Sequence, residues 1–222
     1  MKRFVMFLFV LGVGVSLFAQ VPLQMEHHFA TGSGSWGFVG SRLYQSASDS
    51  QSRLAKVNIR APQSGPMIYE FNVRYEDILD KTHGGFGIHI FVDNVINRAS
   101  WGSGVSYLLW LNYDENPVSN DIPKGFSAQI YESHTNSWMD LVESFDLNEY
   151  AYLLTIENLS YPVPAKIWVN GNTGEVRVYD PTDPYLDYYF YFYLPTKNLP
   201  LRGDWVSLRV NGVRLSFAEG LY

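Results

Sequence analysis

Tyr69-Glu70-Phe71-Asn72-Val73-Arg74-Tyr75 carries an apolar side chain at every odd position and a polar one at every even position. Only an extended chain puts such a set on one side, so this stretch reads as a strand with one dry face and one wet face. The same period of two recurs outward from it. Phe86, Ile88, Ile90 and Val92 alternate with Gly87, His89 and Phe91. Tyr107, Leu109, Leu111 and Tyr113 alternate with Leu108, Trp110 and Asn112, and Phe126, Ala128 and Ile130 with Ser127, Gln129 and Tyr131. Tyr152, Leu154 and Ile156, then Ile167 with Val169, then Val176 with Val178, keep the rule.

Turn residues separate these runs: Gly65-Pro66, Gly84-Gly85, Asn116-Pro117, Pro123-Lys124-Gly125 and Asp180-Pro181. Asn170-Gly171-Asn172-Thr173-Gly174 predicts a hairpin. Asn211-Gly212, between Leu208-Arg209-Val210 and Val213-Arg214-Leu215, predicts a second and tighter one. Within Ser137 to Tyr150, the residues Trp138, Leu141, Val142 and Phe145 have helical spacing, but Met139 to Glu143 also reads as a strand. The strand reading is preferred because its neighbours are all β. About ten strands with regular turns predict an all-β fold, two antiparallel sheets packed as a β-sandwich. Asp187 to Leu194 is aromatic on both faces, so that strand is expected either centrally in a sheet or at a contact surface.

The first residues predict export. Met1-Lys2-Arg3 is a short basic segment, Phe4 to Phe18 is uncharged and apolar, and Leu17-Phe18-Ala19 offers a small residue for cleavage before Gln20. Residues 1–19 are therefore read as a signal peptide and residues 20–222 as a single domain, periplasmic or extracellular. Cleavage would leave 14 basic against 22 acidic residues. That acidic balance repels phosphate backbones and argues against a nucleic-acid partner. The chain has no cysteine, so disulfides, thiolate metal sites and cysteine nucleophiles are excluded.

Three stretches together resemble the concanavalin A-like lectin and glucanase jelly rolls, including laminin G-like and keto-disaccharide-hydrolase-like domains. Trp36-Gly37-Phe38-Val39-Gly40-Ser41-Arg42-Leu43-Tyr44-Gln45 is similar to their opening. Tyr69 to Tyr75 with Gly85-Phe86-Gly87-Ile88-His89-Ile90 resembles their paired central strands. Gly203 to Phe217, with its Trp205-Val206-Ser207-Leu208-Arg209-Val210-Asn211-Gly212 core, resembles their closing hairpin. The resemblance implies a sandwich with one sheet that faces carbohydrate, and calcium often accompanies such folds. It also implies, for the glycosidases among them, acids alternating along one strand. Glu76-Asp77, Asp114-Glu115 and Asp140 with Glu143 do not alternate in that way, so the expectation leans away from catalysis.

The chemistry that remains is a face. Trp110, Asn112, Gln129 and Tyr131 occupy the outward register of two strands, and His89 the polar register of an earlier one. Aromatic rings stack on sugar C–H faces while amides hydrogen-bond the hydroxyls, so these five residues are the candidate ligand-binding set. A loop covering that face is the structural alternative, and His89 by itself reads as a solvent-facing residue. His27, His28, His83, His89 and His134 show no ligand spacing, so no metal site is expected from them. Calcium is the one ion weighed, because Asp93-Asn94, Asn112 to Asp114, Asn116 and Asn120-Asp121 offer oxygens, but none matches a ligand spacing and turn chemistry is the leading reading. Gly32-Ser33-Gly34-Ser35 and Gly102-Ser103-Gly104 read as flexible loops. The expected function is an exported, non-catalytic sandwich that binds a glycan or an envelope protein. The alternatives are a structural subunit of a cell-envelope or flagellar-sheath assembly, and a glycoside hydrolase with acids placed elsewhere.

Overall fold

The structure is a computed structural model, and it describes residues 19–21, 29–47, 54–78, 82–95, 98, 100–153, 160–181, 188–195, 197 and 199–221. The leader up to Phe18, the pair His27-His28 and the positions Leu154 and Ile156 lie outside the described residues.

The described chain forms fifteen strands and one short 3-10 helix. The strands are β1 (Ala19–Val21), β2 (Phe29–Ser33), β3 (Trp36–Val39), β4 (Arg42–Gln45) and β5 (Ala55–Ser64). They continue as β6 (Pro66–Ile78), β7 (His83–Val92), β8 (Ser106–Asp114), β9 (Gly125–Ser133) and β10 (Met139–Asp146). The last are β11 (Val163–Asn170), β12 (Glu175–Tyr179), β13 (Tyr188–Tyr193), β14 (Arg202–Asn211) and β15 (Val213–Glu219). One sheet runs β13-β12-β11-β6-β15-β4-β3, and β1 adds to β6 in the parallel sense. The other runs β10-β9-β8-β7-β14-β5-β2 and is antiparallel throughout. This is the two-sheet antiparallel sandwich that the alternating sequence predicts.

Odd-numbered side chains of β5, β6 and β8 and even-numbered ones of β7 and β14 meet between the layers. Val57, Ile59, Tyr69, Ile90, Leu208 and Phe217 are sealed there from solvent. Phe217 lies at a ring junction, with the centroids of Trp36, Phe71 and Phe86 6.2, 6.3 and 6.3 Å away. Burial of such apolar surface is what holds two cysteine-free sheets together.

Several expectations need correction. Asn211-Gly212 does not close a hairpin: β14 belongs to one sheet and β15 to the other, and the chain turns the corner between them at Gly212, where φ is +68°. Tyr69 to Tyr75 and Gly85 to Ile90 are likewise not paired; they lie in facing sheets. Gly84-Gly85 is no turn but part of β7, and Gly32-Ser33 belongs to β2. Tyr152 continues no strand, because Asn148–Leu153 is a 3-10 helix. Asn148 ends the β10 strand by turning its side chain onto Asp146, Phe126 and the Lys124 carbonyl. The strand reading of Met139 to Glu143 holds. So does the Asn170 to Gly174 turn, where the Asn170 carbonyl accepts from Thr173 and Gly174.

Candidate functional site

The outer face of the seven-stranded sheet is where the polar register of its strands collects. Cross-strand pairing aligns two rows. One runs Lys56, Arg209, Gly87, Trp110 and Gln129; the next runs Asn58, Ser207, His89, Leu108 and Tyr131. Asn112 pairs with Ser127 and Gly85 one step beyond the first row. The five residues chosen from sequence therefore share one face, as their register requires.

That face is not open. Trp110 is 8 % exposed, Asn112 5 %, Gln129 2 % and His89 0 %, while Tyr131 is half-buried. His89 is thus a core residue and not a solvent-facing one. The cover is the segment between β7 and β8. Ser100 to Gly104 folds back over the sheet, and Gly102 and Ser103 are buried rather than a flexible loop. The covering is welded in place from both sides. From the β9–β10 loop, the Asn136 carbonyl accepts from Gly102 N–H at 3.0 Å, its side-chain oxygen accepts from Gly104 N–H at 3.1 Å, and Ser133 Oγ accepts from Ser103 N–H at 3.0 Å. From the sheet, Lys56 Nζ donates to Ser100 Oγ and to the Gly102 carbonyl, both at 2.9 Å, and Arg209 donates to the Trp101 carbonyl.

Sequence reasoning missed Lys56, Arg209, Asn58 and Ser207, although the signal was present. Lys56 and Asn58 alternate with Val57 and Ile59, and Ser207 and Arg209 with Leu208 and Val210. The two cations sit directly opposite each other on neighbouring strands. No carboxylate pairs with either among the described residues. Burial, then the neighbouring Arg209, pulls the Lys56 ammonium down to about 8, and burial pulls Arg209 down to about 10. Arg209 is held instead by π faces: its guanidinium carbon lies 5.1 Å from the Trp101 ring centroid and 5.4 Å from that of Trp110. Burial, with Arg209 and Lys56 nearby, holds the His89 imidazole well below its ordinary value and so neutral. His89 Nδ1 lies 3.1 Å from Ser106 Oγ, whereas His89 Nε2, Arg209 Nε and Asn112 Oδ1 have no partner among the described residues.

Trp110 lies over glycine. A Cβ on Gly87 would stand 2.8 Å from Trp110 Cε3 and would collide with the Leu109 carbonyl. A Cβ on Gly85 would come within 3.1 Å of Trp110 Cζ2. Gly85, read from sequence as part of a turn, and Gly87 thus make room for an indole.

What the cover presents to water is aromatic. Trp101 is 54 % exposed on top of Arg209, and Trp138, on the adjoining loop, is 57 % exposed. The Trp138 indole N–H donates to Asp140 Oδ1 at 2.8 Å, its ring lies 4.6 Å from the His134 ring, and His134 Nε2 is 3.1 Å from Asp140 Oδ2. The rim therefore combines two exposed indoles with an imidazole, a carboxylate and the Asn136 amide.

Two of the acids weighed for calcium accept from backbone N–H groups. Asp93 Oδ1 accepts from Val105 N–H at 2.8 Å and Asp114 Oδ1 from Asn116 N–H at 2.9 Å. Among the described residues no three histidine or carboxylate side chains gather as a metal site would need. Of the acids singled out in sequence, Glu76 pairs with Arg74 at 2.8 Å and Asp77 with Arg214 at 3.0 Å, on the other sheet.

No family model matches the chain, and no curated protein matches it in sequence. Solved structures do. The CBM2 module of the evolved Dit protein of Lactobacillus casei BL23 phage J-1 is 15 % identical, with 91 % of this chain and 84 % of that one covered and a TM-score of 0.48. The carbohydrate recognition domain of Emp47p is 13 % identical over 91 % of this chain and 94 % of that one, with a TM-score of 0.46. The metal-free lectin I-B4 of Griffonia simplicifolia is 10 % identical over 88 % and 92 %, also with a TM-score of 0.46.

Proposed function

We propose that this protein is an exported β-sandwich that binds carbohydrate through the rim formed by its β7–β8 and β9–β10 loops. The observation that carries this reading is the pair of exposed tryptophans, Trp101 and Trp138, on loops hydrogen-bonded to each other. An indole held rigidly in water loses little entropy when a pyranose ring stacks on it, and the polar groups of Asn136, His134 and Asp140 stand beside it to meet hydroxyls. The residues chosen from sequence, Trp110, Asn112, Gln129, Tyr131 and His89, lie one layer down, on the sheet face whose Lys56 and Arg209 hold the β7–β8 loop. In this reading the sugar touches the cover and not the sheet.

The experiment is retention on a glycan array and in affinity gels containing single polysaccharides. Trp101→Ala and Trp138→Ala should each weaken retention at least tenfold with an unchanged melting temperature. Wild-type protein that retains no glycan in either format sinks the reading. Export is tested separately: the protein isolated from its native cell should begin at Gln20, and a chain still carrying Met1 would refute cleavage.

A second reading, a subunit of an envelope assembly, is favoured by β13. This edge strand exposes Tyr191 and Tyr193, beside Arg177, whose guanidinium carbon lies 4.8 Å from the Trp168 ring centroid. A bare aromatic edge invites a further strand or subunit. Light scattering of the mature protein decides: a concentration-independent monomer excludes this reading.

A further inference from the structure

The two ends of the sandwich interior are packed differently. Around β5, β14 and β15 the inward side chains Ala55, Val57, Ile59, Leu208, Val210 and Phe217 are fully sealed. Toward β10 and β13 the inward side chains Phe86, Ala128, Phe145, Ala165 and Phe190 are only half-buried, although both sheets continue there. The reason is a cavity of about 230 Å³ between the sheets, bounded by those residues and by Tyr75. Protein interiors are close-packed and seldom keep a void much larger than a water molecule. Water against apolar walls lacks polar partners, so an apolar guest displaces it readily.

The lining defines the chemistry of an occupant. Phe145 and Phe190 pack on each other at 4.8 Å between centroids and the Tyr75 ring meets Phe86 edge-on at 6.4 Å, so part of the wall is made of paired rings. Such a wall accepts an apolar guest. Side chains of the inward register bring no charge into the space: Lys166 and Gln129 lie on strands that border it, but in the opposite register. One polar group of the inward register is left unpaired among the described residues. Tyr75 makes no hydrogen bond with its hydroxyl among the described residues, and burial alone raises its pKa. It nevertheless keeps accessible surface, as a side chain facing empty space does.

We propose that this inter-sheet cavity binds an uncharged, largely apolar molecule bearing one oxygen that hydrogen-bonds to the Tyr75 hydroxyl. A dry apolar cavity of about 150 Å³ accommodates benzene, so at the same packing this one holds roughly nine carbon atoms. The site is separate from the glycan rim, and neither reading depends on the other.

The test uses the mature protein with 2-naphthol and naphthalene, each titrated and followed by ligand fluorescence and by thermal denaturation. Both should bind saturably and raise the melting temperature. Tyr75→Phe should weaken 2-naphthol about three- to tenfold and leave naphthalene unchanged. Ala128→Phe and Ala165→Phe, which fill the space from opposite sheets, should each weaken both probes at least tenfold while leaving glycan retention intact. The proposal is overturned if wild type binds neither probe. It is equally overturned if a folded filling variant binds them as tightly as wild type, or if Tyr75→Phe weakens both alike. Loss of glycan retention in Trp101→Ala with 2-naphthol binding preserved would show the two sites to be distinct.

Discussion

Lys56 shows how a single residue shapes the pH response of the whole chain. Its ammonium titrates near 8 in the folded protein, below the ordinary value of about 10.4 that applies once it is unfolded. Between these values the unfolded chain binds the extra proton, so stability rises with pH through the window and the penalty is fully present below pH 8. The gain is at most about 1.4 kcal/mol per pH unit. Melting temperature should therefore climb from pH 7.5 to 9.5, and Lys56→Met should flatten that climb. A wild-type midpoint that falls over the same range would show that Lys56 is not the controlling group. His89 acts in the same sense at lower pH. Its folded imidazole resists protonation, so stability should be lost as pH falls below about 6.5, where the unfolded ring takes up its proton. None of this was visible in composition. Lys56 alternates correctly with its apolar neighbours, but the loop that seals it comes from more than forty residues away, and period-two patterning reports which face a residue occupies, not what lies on top.

Strand β7 shows why elements were legible while their partners were not. Phe86, Ile88 and Ile90 announced the strand, yet Gly84-Gly85 read as its boundary, since glycine weakens strands and punctuates turns. Gly85 is inside because β8 lays the Trp110 indole across it and Gly87, and Gly84 because the Asn211 carbonyl and Val213 leave no room for a side chain. Gly87→Ala should cost about 1–3 kcal/mol through overpacking, and should shift the tryptophan fluorescence. An alanine variant as stable as wild type would mean that the ring has room to move. The Asn211-Gly212 turn failed for a related reason. Both a hairpin and a sheet-to-sheet corner need a residue with positive φ between two alternating runs, so local sequence cannot separate them. The Asn170 to Gly174 hairpin was recoverable because its hydrogen bonds are local, closing onto the Asn170 carbonyl within four residues.

At the scale of the molecule, two sheets without a disulfide are held by what lies between them, and that interior is well filled at only one end. Phe217 is where the filled end is concentrated. It is fully buried on β15, reaches β3 through Trp36, its own sheet through Phe71 and the opposite sheet through Phe86. Truncating it removes contacts in three directions, so Phe217→Ala should cost about 3–5 kcal/mol. That is a large fraction of the roughly 5–15 kcal/mol by which a domain is stable. Phe190→Ala, at the loosely packed end, enlarges a space that already exists and strips fewer contacts, so it should cost clearly less. Urea unfolding of the two variants measures the difference directly. Equal losses would mean that the β10–β13 end is as tightly packed as the other. The difference between the variants also matters for function, since rigidity at the Phe217 end anchors β14, and β14 supplies the Arg209 that carries Trp101. On the proposed reading of the rim, Phe217→Ala should weaken glycan retention as it loosens the sheet, whereas Phe190→Ala should leave it intact.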